Sequence, residues 1–198
     1  MITENYFVVK DLKHYENKQK LKNINELSKI IPILLEQNTN GEKSIVVSST
    51  QLLFVLKCLK SHISYQYKML TSISGVDFLG KDYRFSVVYD LLSLTFNARL
   101  RLKVFVNEIT PVNSIVSIFK NASWWEREIW DMYGISFSKH PDLRRILTDY
   151  GFEGHPMRKD FPITGYVEFK YDESRKRVIG EPIELTQEFR TFTFEMPY

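Results

Sequence analysis

One cysteine, Cys58, stands in a chain of 198 residues. That scarcity excludes an internal disulfide framework, a multi-cysteine zinc site and any iron-sulfur cluster ligated by this chain alone. If the chain takes part in electron transfer, other chains carry the metal. Long apolar runs are also missing. A membrane span needs roughly 18 or more consecutive apolar residues, and the best stretch, Ile30-Ile31-Pro32-Ile33-Leu34-Leu35, is short and broken by proline. A transmembrane helix is therefore not expected. The first ten residues lack the basic start and apolar run of a secretory signal, and their Glu4 and want of arginine argue against a transit peptide. The expectation is a protein that works where it is made, or one whose leader has been removed. No Gly-rich phosphate loop is present, and no Ser or Cys stands beside a base as an activated nucleophile.

What is present is unevenly distributed. Residues 1–120 hold 13 Lys and 3 Arg against 10 acids, a net +6, whereas residues 121–198 hold 4 Lys and 7 Arg against 14 acids, a net −3. The second stretch also carries 5 of 8 Gly, 5 of 7 Pro and 15 of 28 aromatic residues. Glycine and proline interrupt regular elements, yet so many rings cannot all stay in water. The expected organisation is an α+β core domain over 1–120, followed over 121–198 by a capped helix and an extended, turn-rich arm that docks on another subunit.

Within the first stretch, Ile24, Leu27, Ile30, Ile31 and Leu34 fall on one helical face, with Pro32 as a kink or late start. Leu52, Leu53, Leu56, Leu59 and Ile63 fall on another, with Ser48, Ser49 or Thr50 as candidate N-cap. Ser44–Ser48 reads as a short strand, and three longer strands are expected at about 67–76, 83–92 and 97–106. The last alternates Arg99-Leu100-Arg101-Leu102-Lys103-Val104, which gives one buried face and one wet, basic face. An antiparallel or mixed sheet backed by helices on one side follows.

Ser123-Trp124-Trp125-Glu126 has the form of a capping box, and Gly134 that of a left-handed stop. On the intervening helix Trp125, Ile129, Met132 and Tyr133 share a side. Glu126, Arg127, Glu128 and Asp131 provide charge, Arg127 and Asp131 at pairing distance. These acids could ligate a metal, but a scaffold tied by fixed ion pairs is the commoner use. His140 to Asp160 then mixes two histidines with balanced charge, which is a poor way to hold a polyanion. His140, His155 and nearby acids leave open a metal-dependent hydrolase, and the basic first stretch leaves open RNA binding. Arginines and aromatics punctuated by turns favour a protein interface. In finer detail, Arg144 and Arg145 are expected to pair with carboxylates.

The runs Glu126-Arg127-Glu128, Asp131-Met132-Tyr133-Gly134, His140 to Pro156 (with Asp142, Arg144, Arg145, Asp149, Tyr150, Phe152 and His155) and Arg158-Lys159-Asp160-Phe161-Pro162 resemble the thirty-kilodalton core subunit of respiratory complex I, the NADH:ubiquinone oxidoreductase. Tyr89-Asp90-Leu91-Leu92-Ser93, Gly165-Tyr166-Val167-Glu168, Glu181-Pro182 and Gln187-Glu188-Phe189-Arg190 extend the resemblance over roughly residues 24–198. It implies an α/β domain with an extended carboxy-terminal segment and no cofactor of its own. Flavin, iron-sulfur clusters and ubiquinone are then expected in neighbouring subunits, with the forty-nine-kilodalton and iron-sulfur subunits of the quinone module as partners. It also implies a peripheral position on the matrix side of the mitochondrial inner membrane, and the want of a transit peptide together with a composition heavy in Lys, Ile, Phe, Tyr and Asn adds the expectation of synthesis inside the organelle. The motif residues, Trp125 among them, are expected to serve structure and the interface with other subunits rather than catalysis.

Overall fold

The computed structural model describes residues 30–39, 42–187, 189, 190 and 192. The chain forms two compact units, one reaching to Asp160 and one beginning at Phe161. In chain order the first holds β1 (Leu35–Thr39), β2 (Glu42–Val46), α1 (Leu52–Ser61), β3 (Met69–Asp77), β4 (Phe85–Ser93), β5 (Ala98–Val106), β6 (Val112–Asn113), α2 (Ala122–Tyr133) and β7 (Phe137–Ser138). The second holds β8 (Val167–Asp172) and β9 (Arg177–Pro182).

Five strands make one sheet in the order β1-β2-β5-β4-β3. Its pairs are antiparallel apart from β2 and β5, which run parallel. The sheet is mixed, as the α+β reading allows. The three long strands lie within two residues of their expected starts; burial alternates with period two along β5, whereas β4 is buried at nearly every position and β3 has a register shift between Leu70 and Ser72. Phe85, Val87, Tyr89 and Leu91 of β4 stand opposite Val106, Val104, Leu102 and Leu100 of β5, and all eight are buried. Leu52, Val55, Leu56 and Leu59 of α1 join them in one core, and α2 packs against β3. No described helix is long and apolar enough to cross a membrane.

Two expectations at helix boundaries need correction. Most of the first expected helix, up to residue 29, lies outside the described residues. Ile30 is helical, but the chain turns extended before β1 and Leu34 is exposed. Pro32 explains this, since proline disfavours helix at the residue before it and supplies no amide donor. At α1 the cap position is Gln51 with no side-chain cap bond. Ser48 Oγ instead lies 3.0 Å from Thr50 Oγ1, so the hydroxyls bond each other.

The boundary expected at 120/121 falls inside the first unit. Ala122 and Ile129 of α2 are core residues, so the helix completes the domain. The second unit is built on a hairpin whose turn is held by Asp172 Oδ1, which accepts from the amides of Ser174 (2.9 Å) and Arg175 (3.4 Å).

Candidate functional site

The motif residues gather around α2, and two carboxylates of that helix are wholly buried. Glu126 accepts from Ser114 Oγ at 2.6 Å and from the Ile115 amide at 2.8 Å. Burial pushes its pKa up to about 7, against the lowering effect of those two donors. His140, its side chain equally buried, lies 3.8 Å away. Its Nδ1 accepts from the Asp142 amide at 3.0 Å, so the neutral ring carries its proton on Nε2, 3.2 Å from the Ser123 carbonyl. The expected capping box is therefore absent. The cap position is Asn121 without a side-chain cap bond, Glu126 serves the irregular segment following β6, and Ser123 Oγ faces His140 at 3.5 Å. Tertiary partners have taken both groups of the local motif.

Asp131 is the second hub. Its carboxylate accepts from the amides of Ile146 (3.2 Å), Leu147 (2.8 Å) and Thr148 (2.8 Å), from Thr148 Oγ1 (2.6 Å) and from Arg145 (3.3 Å). Burial alone would raise its pKa, but these donors together hold it below the usual carboxylate range. The expected Arg127–Asp131 pair does not form, because Asp131 faces the loop; Arg127 Nε donates to the Arg144 carbonyl at 3.3 Å. Arg145 reaches Asp131, and Arg144 pairs with Asp142 at 3.0 Å in an exposed contact.

The loop then closes the end of α2. Helix ends leave carbonyls without intrahelical donors. Here the Gly134 amide bonds the Trp130 carbonyl, His155 Nδ1 the Asp131 carbonyl (2.9 Å), the Met157 amide the Met132 carbonyl (3.1 Å) and Arg158 Nε the Tyr133 carbonyl (2.7 Å). Gly134 adopts φ +76, the expected left-handed stop. His155 also meets Trp130 edge-on at 5.7 Å.

A third cluster lies at the end of the β3–β4 hairpin. Arg84 bonds Asp77 through Nε (2.8 Å) and Nη2 (3.0 Å), Glu108 at 2.6 Å and Asp160 at 2.8 Å. The Arg84 contact holds the buried Asp77 below the usual carboxylate range, aided by the Lys159 amide at 2.8 Å. Arg84 and Arg158 both lie over the Phe85 ring, at 5.1 and 5.2 Å. Sequence reading did not single out Asp77, Arg84 or Glu108. Their one signal is an acid and a base at facing ends of adjacent strands.

Of the other motif residues, Trp125 packs against the core. Glu128, Asp149, Tyr150 and Phe152 are exposed, and Asp149 accepts from the Tyr150 amide at 2.8 Å. Phe161 lies in the second unit, edge-on to Tyr166 at 5.5 Å. Leu147, Met157 and Tyr150 together present apolar surface outward from a loop whose backbone is pinned.

The family model for the respiratory-chain NADH dehydrogenase 30 Kd subunit matches residues 45–167. NADH-ubiquinone oxidoreductase subunit 9 of Reclinomonas americana is 50% identical over 190 residues, covering 94% of this chain and 93% of its own. NADH dehydrogenase (ubiquinone) iron-sulfur protein 3 of Beta trigyna is 57% identical, covering 83% and 85%. An NADH-quinone oxidoreductase subunit of Paramagnetospirillum magneticum is 53% identical, covering 82% of each. In fold, the chain resembles one in the membrane-bound sulfane sulfur reductase, an archaeal respiratory membrane complex. The TM-score is 0.61 at 18% identity, over 71% of this chain and 84% of that one. The Beta relative is named an iron-sulfur protein, whereas this chain has a single cysteine. Cys58 is half-buried and alone on α1, and among the described residues no group of three or more His, Cys, Asp or Glu could hold a metal. On the model match and these identities, the chain belongs to the family of the 30 kDa subunit of respiratory-chain NADH dehydrogenase.

Proposed function

We propose that the chain is a core structural and assembly subunit in the peripheral arm of respiratory complex I. It supports electron transfer from NADH to ubiquinone, coupled to proton translocation, and contributes neither redox centre nor catalytic residue. In this reading flavin, iron-sulfur clusters and ubiquinone belong to neighbouring subunits. The forty-nine-kilodalton and iron-sulfur subunits are its partners, and it sits peripherally on the matrix side of the mitochondrial inner membrane. The relatives' names support the complex.

One observation supports the docking role. In the β8–β9 hairpin, Val167, Phe169 and Tyr171 stand opposite Pro182, Gly180 and Val178, so one face is apolar from end to end. The other carries Glu168, Lys170, Asp172, Arg177 and Glu181, with Lys170 and Glu181 paired. Phe169 is 70% exposed and Val178 64%. A two-stranded hairpin is marginal in water by itself, and a contiguous apolar patch marks an interaction surface.

The two competing readings lose their basis. A metal-dependent hydrolase loses His140, whose two ring nitrogens are both engaged by backbone groups, and among the described residues no group of three or more His, Cys, Asp or Glu could hold the metal. RNA binding rested on the basic first stretch, and there Arg84 and Arg101 are committed to carboxylates. Replacing Phe169 and Tyr171 by serine in the full chain should leave its thermal unfolding unchanged while preventing its incorporation into the respiratory complex on a native gel. Normal incorporation would remove the docking role.

A further inference from the structure

The outer face of the sheet carries a cation that lies outside the motif runs around α2. Leu102 and Val104 point into the core, so period two places Lys103 on the opposite face, on the middle strand of five. Its cross-strand neighbours, Val46 on β2 and Val88 on β4, are apolar and buried. The amine reaches Gln37 Oε1 at 3.4 Å and, among the described residues, has no ion pair. Asp90, the acid of this face, is already committed to Arg101 (2.8 Å) and Ser72 (3.0 Å), and Arg101 also bonds Glu42. Burial pushes the Lys103 pKa down and Arg101 adds to that, while the Asp90 carboxylate acts in the opposite direction.

A cavity of about 330 Å³ opens over these residues, within the range of small-molecule sites. Phe78 and Phe105 line it with ring centroids 6.1 Å apart. Ser86 also lines it, 1% exposed, with a hydroxyl that has no hydrogen-bond partner among the described residues. Among the described residues, the trough thus offers a half-buried amine without an ion pair, an unspent hydroxyl and an aromatic wall. We propose that it binds a small organic monoanion, a carboxylate on a flat apolar group, with Lys103 holding the carboxylate and Phe78, Phe105 and Val88 the apolar part. Asp90 on the same face disfavours a dianion.

The test is an NMR titration of the full chain with benzoate, with benzamide as ring without charge and inorganic phosphate as charge without ring. Benzoate should move the amide signals of Ser86, Val88, Lys103 and Phe105, and both controls should bind at least about tenfold more weakly. Lys103→Met keeps the apolar stem and should weaken benzoate about tenfold. Without benzoate it should raise the melting temperature, because an unpaired half-buried amine is removed. Lys103→Gln, which retains a polar end, should lose binding likewise and serves if the methionine variant fails to fold. Benzoate binding that survives both variants, or that falls equally with exposed Lys68→Met, would overturn the site. So would the absence of any benzoate shift.

Discussion

Glu126 and Asp131 sit five residues apart on one helix, both fully buried, yet they respond to pH in opposite senses. Glu126 has its pKa raised from 4.5 to about 7 by burial. Its favourable contribution is therefore complete below pH 4.5 and is lost as pH rises through about 7, a difference on the order of 3 kcal/mol. Glu126→Gln removes the ionisation while its amide still accepts from Ile115 and donates to Ser114. The denaturant midpoint of the wild type should fall, relative to that variant, between pH 5 and 8; parallel curves would contradict the assignment. Asp131 is held below its ordinary 3.8, so its contribution is present above that value and disappears as pH falls through the lowered one. Asp131→Asn puts a donor among five donors and leaves Arg145 without its charge partner. A loss of about 3 kcal/mol or more is expected in urea denaturation at neutral pH.

At the scale of elements, the end of α2 shows how a loop and a helix fix each other. A methyl group at Gly134 would meet His155 Nε2 at 2.6 Å and Arg158 Nη2 at 2.7 Å, at φ +76. Neither side chain is free to yield, because each is bonded to a terminal carbonyl of the helix. Gly151 has nearly the same φ, +75, and open space around it. Gly151→Ala should then cost about 1–2 kcal/mol from the left-handed backbone alone, and Gly134→Ala about 1–3 kcal/mol more, from overpacking. Equal losses in the two variants would show that the carbonyl-bonded side chains move aside. Gly134 as a stop was legible from its place after an amphipathic run. The capping box was misread for a physical reason. Ser123 and Glu126 satisfy the local pattern, but Ser114, Ile115 and His140 offered buried partners that sequence spacing does not reveal. β5 was legible because its alternation survives any choice of partner, whereas the parallel β2–β5 pairing is decided by a crossover between segments more than fifty residues apart.

For the whole molecule, the resemblance carried by residues 126–162 identified the family, while the residues that tie the first unit together were missed. Arg84 is the clearest case. It joins the end of β3 through Asp77, the loop after β5 through Glu108 and the last residue of the unit through Asp160. None of these lies close enough in sequence for a helical or strand pattern to suggest the set. Its three pairs do not contribute equally. Asp77 is 1% exposed and bidentate, Glu108 and Asp160 are about half exposed, and exposed pairs contribute about 1 kcal/mol or less. Arg84→Met strands a buried carboxylate and should cost on the order of 3–5 kcal/mol, with little dependence on salt. Arg84→Lys should recover only a small part, because an ammonium cannot reproduce the two-pronged contact. In a double-mutant cycle the Arg84–Asp160 coupling, read with Asp160→Asn, should fall below about 1 kcal/mol and shrink as salt is added. A large, salt-resistant coupling at Asp160 would instead make that exposed contact the latch holding the end of the first unit.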